Sequence, residues 1–103
     1  IETTDLKDNY ALLNQMDICS GSIMDNIAEG FERNGNKEFR QFLSKAKASC
    51  GELRSQLYRC LDRKYIDKTT FDIQMEMLLL ESKKISSFIN YLKKSEYKGS
   101  KFD

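Results

Sequence analysis

Basic side chains recur along one side of a predicted helix over residues 37–63, where they could together contact phosphate groups. Four of them lie at offsets of 0, 3, 10 and 17 residues, and the 3.6-residue period of a helix brings such positions onto one face. Tyr58 continues that face. Cationic and aromatic side chains in this pattern are typical of RNA- or DNA-binding surfaces. The predicted nucleic-acid-binding residues are Lys37, Arg40, Lys47 and Arg54, with Arg33 and Arg59 flanking them.

Charge is segregated along the chain rather than mixed. Residues 1–32 carry one basic residue against seven acids, whereas residues 33–64 carry nine basic residues against three acids. Residues 65–103 add +1, and the net charge of the whole chain is +1. Two interpretations follow. The basic segment could contact phosphates, or it could pair with the acidic segment within or between subunits. The near-zero total weakens non-specific attraction to nucleic acid.

The sequence contains few side chains that could catalyse a reaction or bind a metal. It contains no histidine, and its three cysteines, Cys19, Cys50 and Cys60, form no CxxC pair. Zinc sites need closely spaced thiolate or imidazole ligands, so we expect the cysteines to be reduced and buried in helix faces. We predict no metal and no cofactor.

A carboxylate pair is the remaining catalytic candidate. Glu29 and Glu38 flank a turn at Asn34–Gly35 and could act as acid and base. No nucleophile, metal motif or phosphate loop accompanies them, so we predict that the protein is not an enzyme. We expect Asn26 and Glu29 to fasten the turn instead, with Glu29 accepting hydrogen bonds from the first turn of α2 or pairing with Arg33 or Arg40.

The sequence predicts a single all-α domain over residues 1–103. It contains no proline, and it lacks the alternating runs of a strand. Apolar residues at three- and four-residue steps predict α1 over about residues 10–31, α2 over 37–63 and α3 over 70–94. The candidate N-caps are Asp5, Asp8 or Asn9 for α1, Asn36 for α2, and Asp67 or Thr69 for α3. We expect the segment from Ser95 onward to fray.

Short connections between long helices indicate an antiparallel up-down bundle, and three helices with wide apolar faces need a fourth partner. That partner could be an upstream helix or another subunit. Gly51 lies among small residues in α2, which indicates close helix packing in the bundle or at a subunit contact. A second apolar row on α3 predicts an oligomer interface. Its residues are Ile73, Met77, Leu80, Phe88 and Tyr91.

Sequence motifs on both sides of the turn resemble those of a known family. They are Gln15, Ser22–Ile23, Asn26-Ile-Ala-Glu-Gly30, Glu38–Phe39, Phe42–Leu43, Ala46, Ser49–Arg59 with Gly51, and Tyr65–Ile66. Over about residues 10–92 the chain resembles the bacterial four-helix-bundle proteins first noticed as 23S rRNA intervening-sequence proteins.

The resemblance implies an antiparallel four-helix bundle that assembles as a homopentameric ring, with no known enzymatic activity. Accessory proteins of diversity-generating retroelements are similar in fold, associate with a reverse transcriptase and bind nucleic acid. The family usually has a helix before the segment present here, so we expect the fourth helix to come from upstream or from elsewhere. The expected partners are further copies of the chain, RNA or DNA, or a partner protein. We expect no membrane contact and a cytoplasmic location.

Overall fold

Three helices form the architecture in a computed structural model, which describes residues 9–99 and their side chains as far as Ser95. They are α1 (Tyr10–Phe31), α2 (Asn36–Asp62) and α3 (Lys68–Gly99), and no strand occurs in residues 9–99. Helix α3 is longer than its apolar pattern predicts at both ends. The expectation that the chain frays from Ser95 is wrong as far as Gly99, because no helix-breaking residue interrupts the segment.

The starts of α1 and α3 have the side-chain caps that their sequences indicate. The Asn9 Oδ1 atom accepts a hydrogen bond from the Leu12 amide at 3.1 Å, and the Asn9 Nδ2 group donates to the Tyr65 hydroxyl at 3.0 Å. The Asp67 Oδ1 atom accepts from the Thr70 amide at 2.7 Å. Asp5 and Asp8, the other candidates for α1, lie outside the described residues.

Asn36 does not cap α2, so that prediction is wrong. Gly35 occupies the N-cap position without a side-chain bond, and Asn36 is the first helical residue. The Asn36 Nδ2 group instead donates to the Leu92 carbonyl at 2.9 Å, while its Oδ1 atom accepts from Arg40 Nε at 2.8 Å. A contact with α3 therefore takes the side chain that a local cap would have used.

The turn from α2 into α3 is closed by backbone hydrogen bonds. The Tyr65 amide donates to the Cys60 carbonyl at 2.9 Å, and the Lys64 amide donates to the Leu61 carbonyl at 3.0 Å. Lys64 has φ 60°, so this is a Schellman motif whose left-handed position is filled by lysine. The tight turn sends α3 back antiparallel to α2.

The three helices lie side by side around α2. Both α1 and α3 pack on α2, and they make at most marginal contact with each other. The Cα atoms extend over 58 × 22 × 13 Å with a radius of gyration of 16.8 Å. A closed domain of this length would have a radius of gyration of about 13 Å. The arrangement is therefore an open layer with α2 as its central member.

The core follows the two faces of α2. Leu43, Ala46 and Cys50 lie between Ile23 of α1 and Ile85 of α3, and all five are buried. The fully buried side chains of largest volume are Leu12, Leu43, Cys50 and Cys60, so half of these are small thiols. Because twelve large hydrophobic side chains remain exposed in the described chain, the layer buries only part of its apolar surface.

Two glycines meet very different surroundings. A Cβ added to Gly30 would lie 2.8 Å from both Phe39 Cδ1 and Phe42 Cβ, so α1 approaches α2 as closely as it does only because this side chain is absent. Gly51, by contrast, has no neighbour nearer than Arg54 Nη2 at 3.9 Å. Close helix packing on Gly51 is therefore not found within the chain, and the alternative of a subunit contact at Gly51 stays a prediction.

We expect Gly30→Ala to destabilise the fold by about 1–2 kcal/mol, since overpacking costs about 1–3 kcal/mol and the gain in helix propensity returns up to about 1 kcal/mol. Urea unfolding monitored by circular dichroism would measure the change.

Gly21→Ala is the matched control, because nothing lies within 4 Å of a Cβ at that position. It should stabilise α1 by about 0.4–1 kcal/mol. Equal effects of the two substitutions would contradict the close approach at Gly30.

Acidification should weaken the start of α3. Hydrogen bonds from the Thr70 amide and side chain hold the pKa of Asp67 below its ordinary value of 3.8. A depressed carboxyl pKa adds stability that is fully present above the ordinary value and is lost as the pH falls through the lower folded value. Asp67→Asn keeps the cap without the titration. The difference in free energy of unfolding between wild type and Asp67→Asn should stay constant above about pH 5 and shrink below pH 3.8.

Candidate nucleic-acid interface and apolar face

The cations predicted to share a face lie on the side of α2 that meets α3. Lys37 and Lys47 are exposed there, while Arg40 and Arg54 are half-buried. Tyr58 continues the same side, and its ring centroid lies 5.0 Å from that of Phe71 in α3. The heptad spacing of α2 causes this placement, because α3 covers the apolar seam directly beside these positions. The structure therefore brings four of the six predicted residues to one edge of the helix.

Arg40 and Arg54 contribute in different ways. Arg40 donates through Nε to Asn36, which itself bonds to α3, so this guanidinium helps to join two helices. The Arg54 Nη1 atom is buried and has no hydrogen-bond partner. A buried, unpaired guanidinium donor is costly, so an acceptor supplied from outside the chain would be bound favourably there.

The two flanking arginines lie apart from this face. Arg33 pairs with Glu29 four residues earlier, and its guanidinium lies 5.1 Å from the centroid of the Phe42 ring. Arg59 donates through Nη1 to Gln15 Oε1 of α1 at 3.3 Å, on the opposite side of α2 from Tyr58. Arg59 therefore does not join the other predicted nucleic-acid-binding residues.

Neutral groups dominate the contact between acidic α1 and basic α2. The Ser22 and Ser49 hydroxyls are 2.9 Å apart, and Gln56 Nε2 donates to Cys19 Sγ at 3.5 Å. Arg40 aside, the described cations of α2 form no ion pair with an acid of α1. Arg40 aside, the described residues therefore give no support to pairing of α1 and α2 through opposite charges, and pairing between subunits stays a prediction.

The residues of the turn motif fasten the end of α1. Asn26 Nδ2 donates to the Ser22 carbonyl at 2.8 Å and to Ser22 Oγ at 3.0 Å. Glu29 pairs with Arg33, as one of the two expected pairings proposed, and Glu38 lies in the first turn of α2 over Gly35. Glu29 and Glu38, the candidate acid–base pair, therefore lie against different neighbouring residues, Arg33 and Gly35.

The cysteines lie in the interior as predicted. Cys19, Cys50 and Cys60 are buried and free. Burial raises the pKa of Cys50, with Glu81 adding to the effect and Arg54 opposing it. Burial also raises the pKa of Cys60, against the opposing charges of Arg59 and Arg63. Thiols with raised pKa values stay protonated and unreactive at neutral pH. The described side chains, residues 9–95, hold no cluster of three metal-ligating groups.

The second apolar row of α3 is exposed along its whole length. Its members are between 40% and 64% exposed: Ile73, Met77, Leu80, Phe88 and Tyr91. Met77 also lines a groove between α1 and α3 with a volume of about 510 Å³, where Leu53 and Leu57 of α2 line the middle and Leu13 lines the α1 side. The open face of the layer is therefore apolar from α1 across to α3.

Aromatic rings cross one end of this layer. The Phe39 centroid lies 6.1 Å from that of Phe31 in α1 and 5.2 Å from that of Phe88 in α3, the latter pair in an edge-to-face arrangement. Sequence reasoning assigned Phe88 to an oligomer interface but did not find this bridge, because the three rings come from different helices. Leu13, Met24 and Phe31 of α1 were also missed as exposed apolar residues.

A family model described as 23S rRNA-intervening sequence protein matches residues 1–90, which is most of the chain. The chain belongs to this family. The family assignment drawn from the turn motifs is thereby confirmed, and the all-helical architecture agrees with it. Members of the 23S rRNA-intervening sequence protein family are grouped by sequence, and the description assigns them no reaction.

Other comparisons add no relatives. Neither the curated proteins nor the solved structures contain a significant match to the chain. Within the described residues, no helix of this family member combines the length and apolarity needed to cross a bilayer.

Proposed function

We propose that this member of the 23S rRNA-intervening sequence protein family is a non-enzymatic, oligomeric helical module that binds the phosphate backbone of RNA or DNA. The observation that carries the proposal is the cationic edge of α2 beside α3, formed by Lys37, Arg40, Lys47 and Arg54. When exposed lysines bind phosphates, they displace counterions that are condensed on the nucleic acid. This release makes the binding favourable and salt-dependent. The proposed site does not include Arg33 and Arg59.

The buried Arg54 Nη1 atom supports the same assignment. It lacks an acceptor within the described chain, and phosphate oxygens are strong acceptors that arginine binds through paired donors. Lys37 and Lys47 form no ion pair with a described acid of α1. Their ammonium groups are exposed, so an anionic polymer can reach them.

We further propose that the apolar face of the layer is completed by a fourth helix and by subunit contacts within a homo-oligomeric ring. The groove between α1 and α3 has room for a helix because these two helices hardly touch. The exposed row of α3 lies next to it and would meet another subunit. Five subunits is the number that the family resemblance implies.

A protein-binding scaffold is the second candidate function. The exposed apolar row of α3 favours it, since contiguous exposed apolar surface marks protein contacts. In this case the charged edge would dock a polypeptide or mate subunits. The scaffold predicts no nucleic-acid binding at about 0.15 M salt, the ionic strength at which weak surface attraction is screened.

Neutralising two exposed cations should weaken nucleic-acid binding. In Lys37→Gln/Lys47→Gln, the slope of log K against log [salt] for single-stranded RNA should fall in magnitude by about 1.4, because each lost phosphate contact removes about 0.7. Fluorescence anisotropy over a salt series would measure both affinity and slope.

Arg63→Gln/Lys68→Gln is the matched control, since both residues are exposed and lie at the other end of α2 and at the start of α3. It removes the same charge and should leave the slope unchanged. Identical behaviour of the two folded double variants would remove the proposed interface, and absence of wild-type binding would favour the scaffold.

Charge placed on the exposed row of α3 should break the ring. Ile73→Lys/Leu80→Lys introduces two ammonium groups into the proposed subunit contact, where desolvation is costly. Glu76→Lys changes the net charge equally at another exposed position of α3.

Native mass spectrometry without nuclease treatment should show rings for wild type and Glu76→Lys, and smaller species for the double variant. A monomeric wild type would contradict the ring. Extra mass that ribonuclease removes would show bound RNA directly.

A further inference from the structure

A second groove runs between α2 and α3 and lies apart from the one between α1 and α3. It has a volume of about 550 Å³. Lys47 of α2 and Lys93 of α3 both line it and are both exposed. Sequence reasoning selected Lys47 but found no role for α3 in the charged surface. The groove therefore extends the cationic edge onto a helix that had been assigned only to apolar contacts.

The groove offers neutral hydrogen-bond donors beside the two ammonium groups. Ser44 of α2 and Ser86 and Asn90 of α3 line it, and no acidic side chain does. Hydroxyl, amide and ammonium groups are the side chains that commonly contact phosphate and sugar in nucleic-acid complexes. The remaining lining residues are Ala48 and Ile89, so the two lysines are the only charged side chains among the residues that line the groove.

The local excess of positive charge is larger than the whole-chain value of +1 indicates. Residues 82–95 of α3 contain four lysines and no acid, and residues 37–48 of α2 contain four cations and one acid. Antiparallel packing brings these two segments together, as the Asn36–Leu92 hydrogen bond of 2.9 Å and the Phe39–Phe88 contact show. Of the cations in these two segments, Lys47 and Lys93 are the ones that line the groove, one from each helix.

We propose that this groove binds the sugar–phosphate backbone of one nucleic-acid strand, with Lys47 and Lys93 on either side of the phosphates and Asn90 donating to a backbone oxygen. The inference rests on the proposed function and adds to it a location and two residues of α3, Asn90 and Lys93. No aromatic side chain lines the groove, so bases are not stacked within it and binding is independent of sequence.

The test compares two single variants that act on the groove by different means. Lys93→Gln removes one charge, whereas Ala48→Leu keeps the charge and fills space in the groove with a good helix former. The probe is a labelled oligouridine of about 12 nucleotides, within the range of single-strand site sizes. The controls are Lys68→Gln, an exposed cation of α3 outside the groove, and Ala28→Leu, an exposed alanine of α1.

We expect Lys93→Gln to lower the affinity about tenfold, the cost of one charge-assisted contact, and to reduce the salt slope by about 0.7. Ala48→Leu should weaken binding without changing how much each remaining phosphate contact contributes to the salt slope. Both controls should bind as wild type does. Circular dichroism would establish that each variant is folded.

The outcomes separate this inference from the broader proposal. If wild type binds with a salt-dependent affinity but Lys93→Gln and Ala48→Leu match their controls, the groove is wrong and the edge of α2 alone carries binding. If wild type shows no salt-dependent binding of oligouridine, the groove and the proposed function both fail. Loss of binding in either control would show that the effects are not specific to the groove and would overturn the assignment.

Discussion

The packing of two helices on opposite faces of α2 is the constraint on which the rest of the structure depends. Ile23 and Ile85 reach the same buried residues of α2 from opposite sides, and Gly30 lets α1 come close enough to do so. Since α1 and α3 hardly touch each other, nearly all tertiary contacts of either helix in the described chain are made with α2. Shape, core and surface charge all follow from which side of α2 each residue occupies.

This arrangement divides the molecule into an apolar open face and a charged edge. On the open face, Leu53 and Leu57 line the groove between the outer helices, and the exposed row of α3 borders it. On the edge, the cations of α2 lie beside the lysine-rich end of α3. An unfinished apolar surface and an unpaired Arg54 donor both favour further binding. A ring-forming, phosphate-binding module would use each face for a different partner.

Much of the fold could be predicted from local signals, and the failures have a common cause. The apolar period gave three helices and the exposed second row of α3, and Asn9 and Asp67 cap their helices as their types indicate. Asn36 does not cap α2 because it is itself the first helical residue, where its Oδ1 atom accepts from Arg40 and its amide donates to the Leu92 carbonyl of α3. Gly51 was expected at a close approach in the bundle or at a subunit contact; within the chain the close approach occurs at Gly30, where the aromatic partners come from another helix.

The sequence by itself determined the helices, their antiparallel order, the buried state of the cysteines and the family, because each depends on residue types at short spacing. Only the tertiary structure decided which cations of different helices share a surface and which flanking arginine turns away from it. Arg59 is turned toward Gln15 of α1, whereas Lys93 joins Lys47 across a groove. Residues that are distant in the chain become neighbours because of the angles at which α1 and α3 pack on α2. These angles cannot be read from the spacing of residues within a single helix.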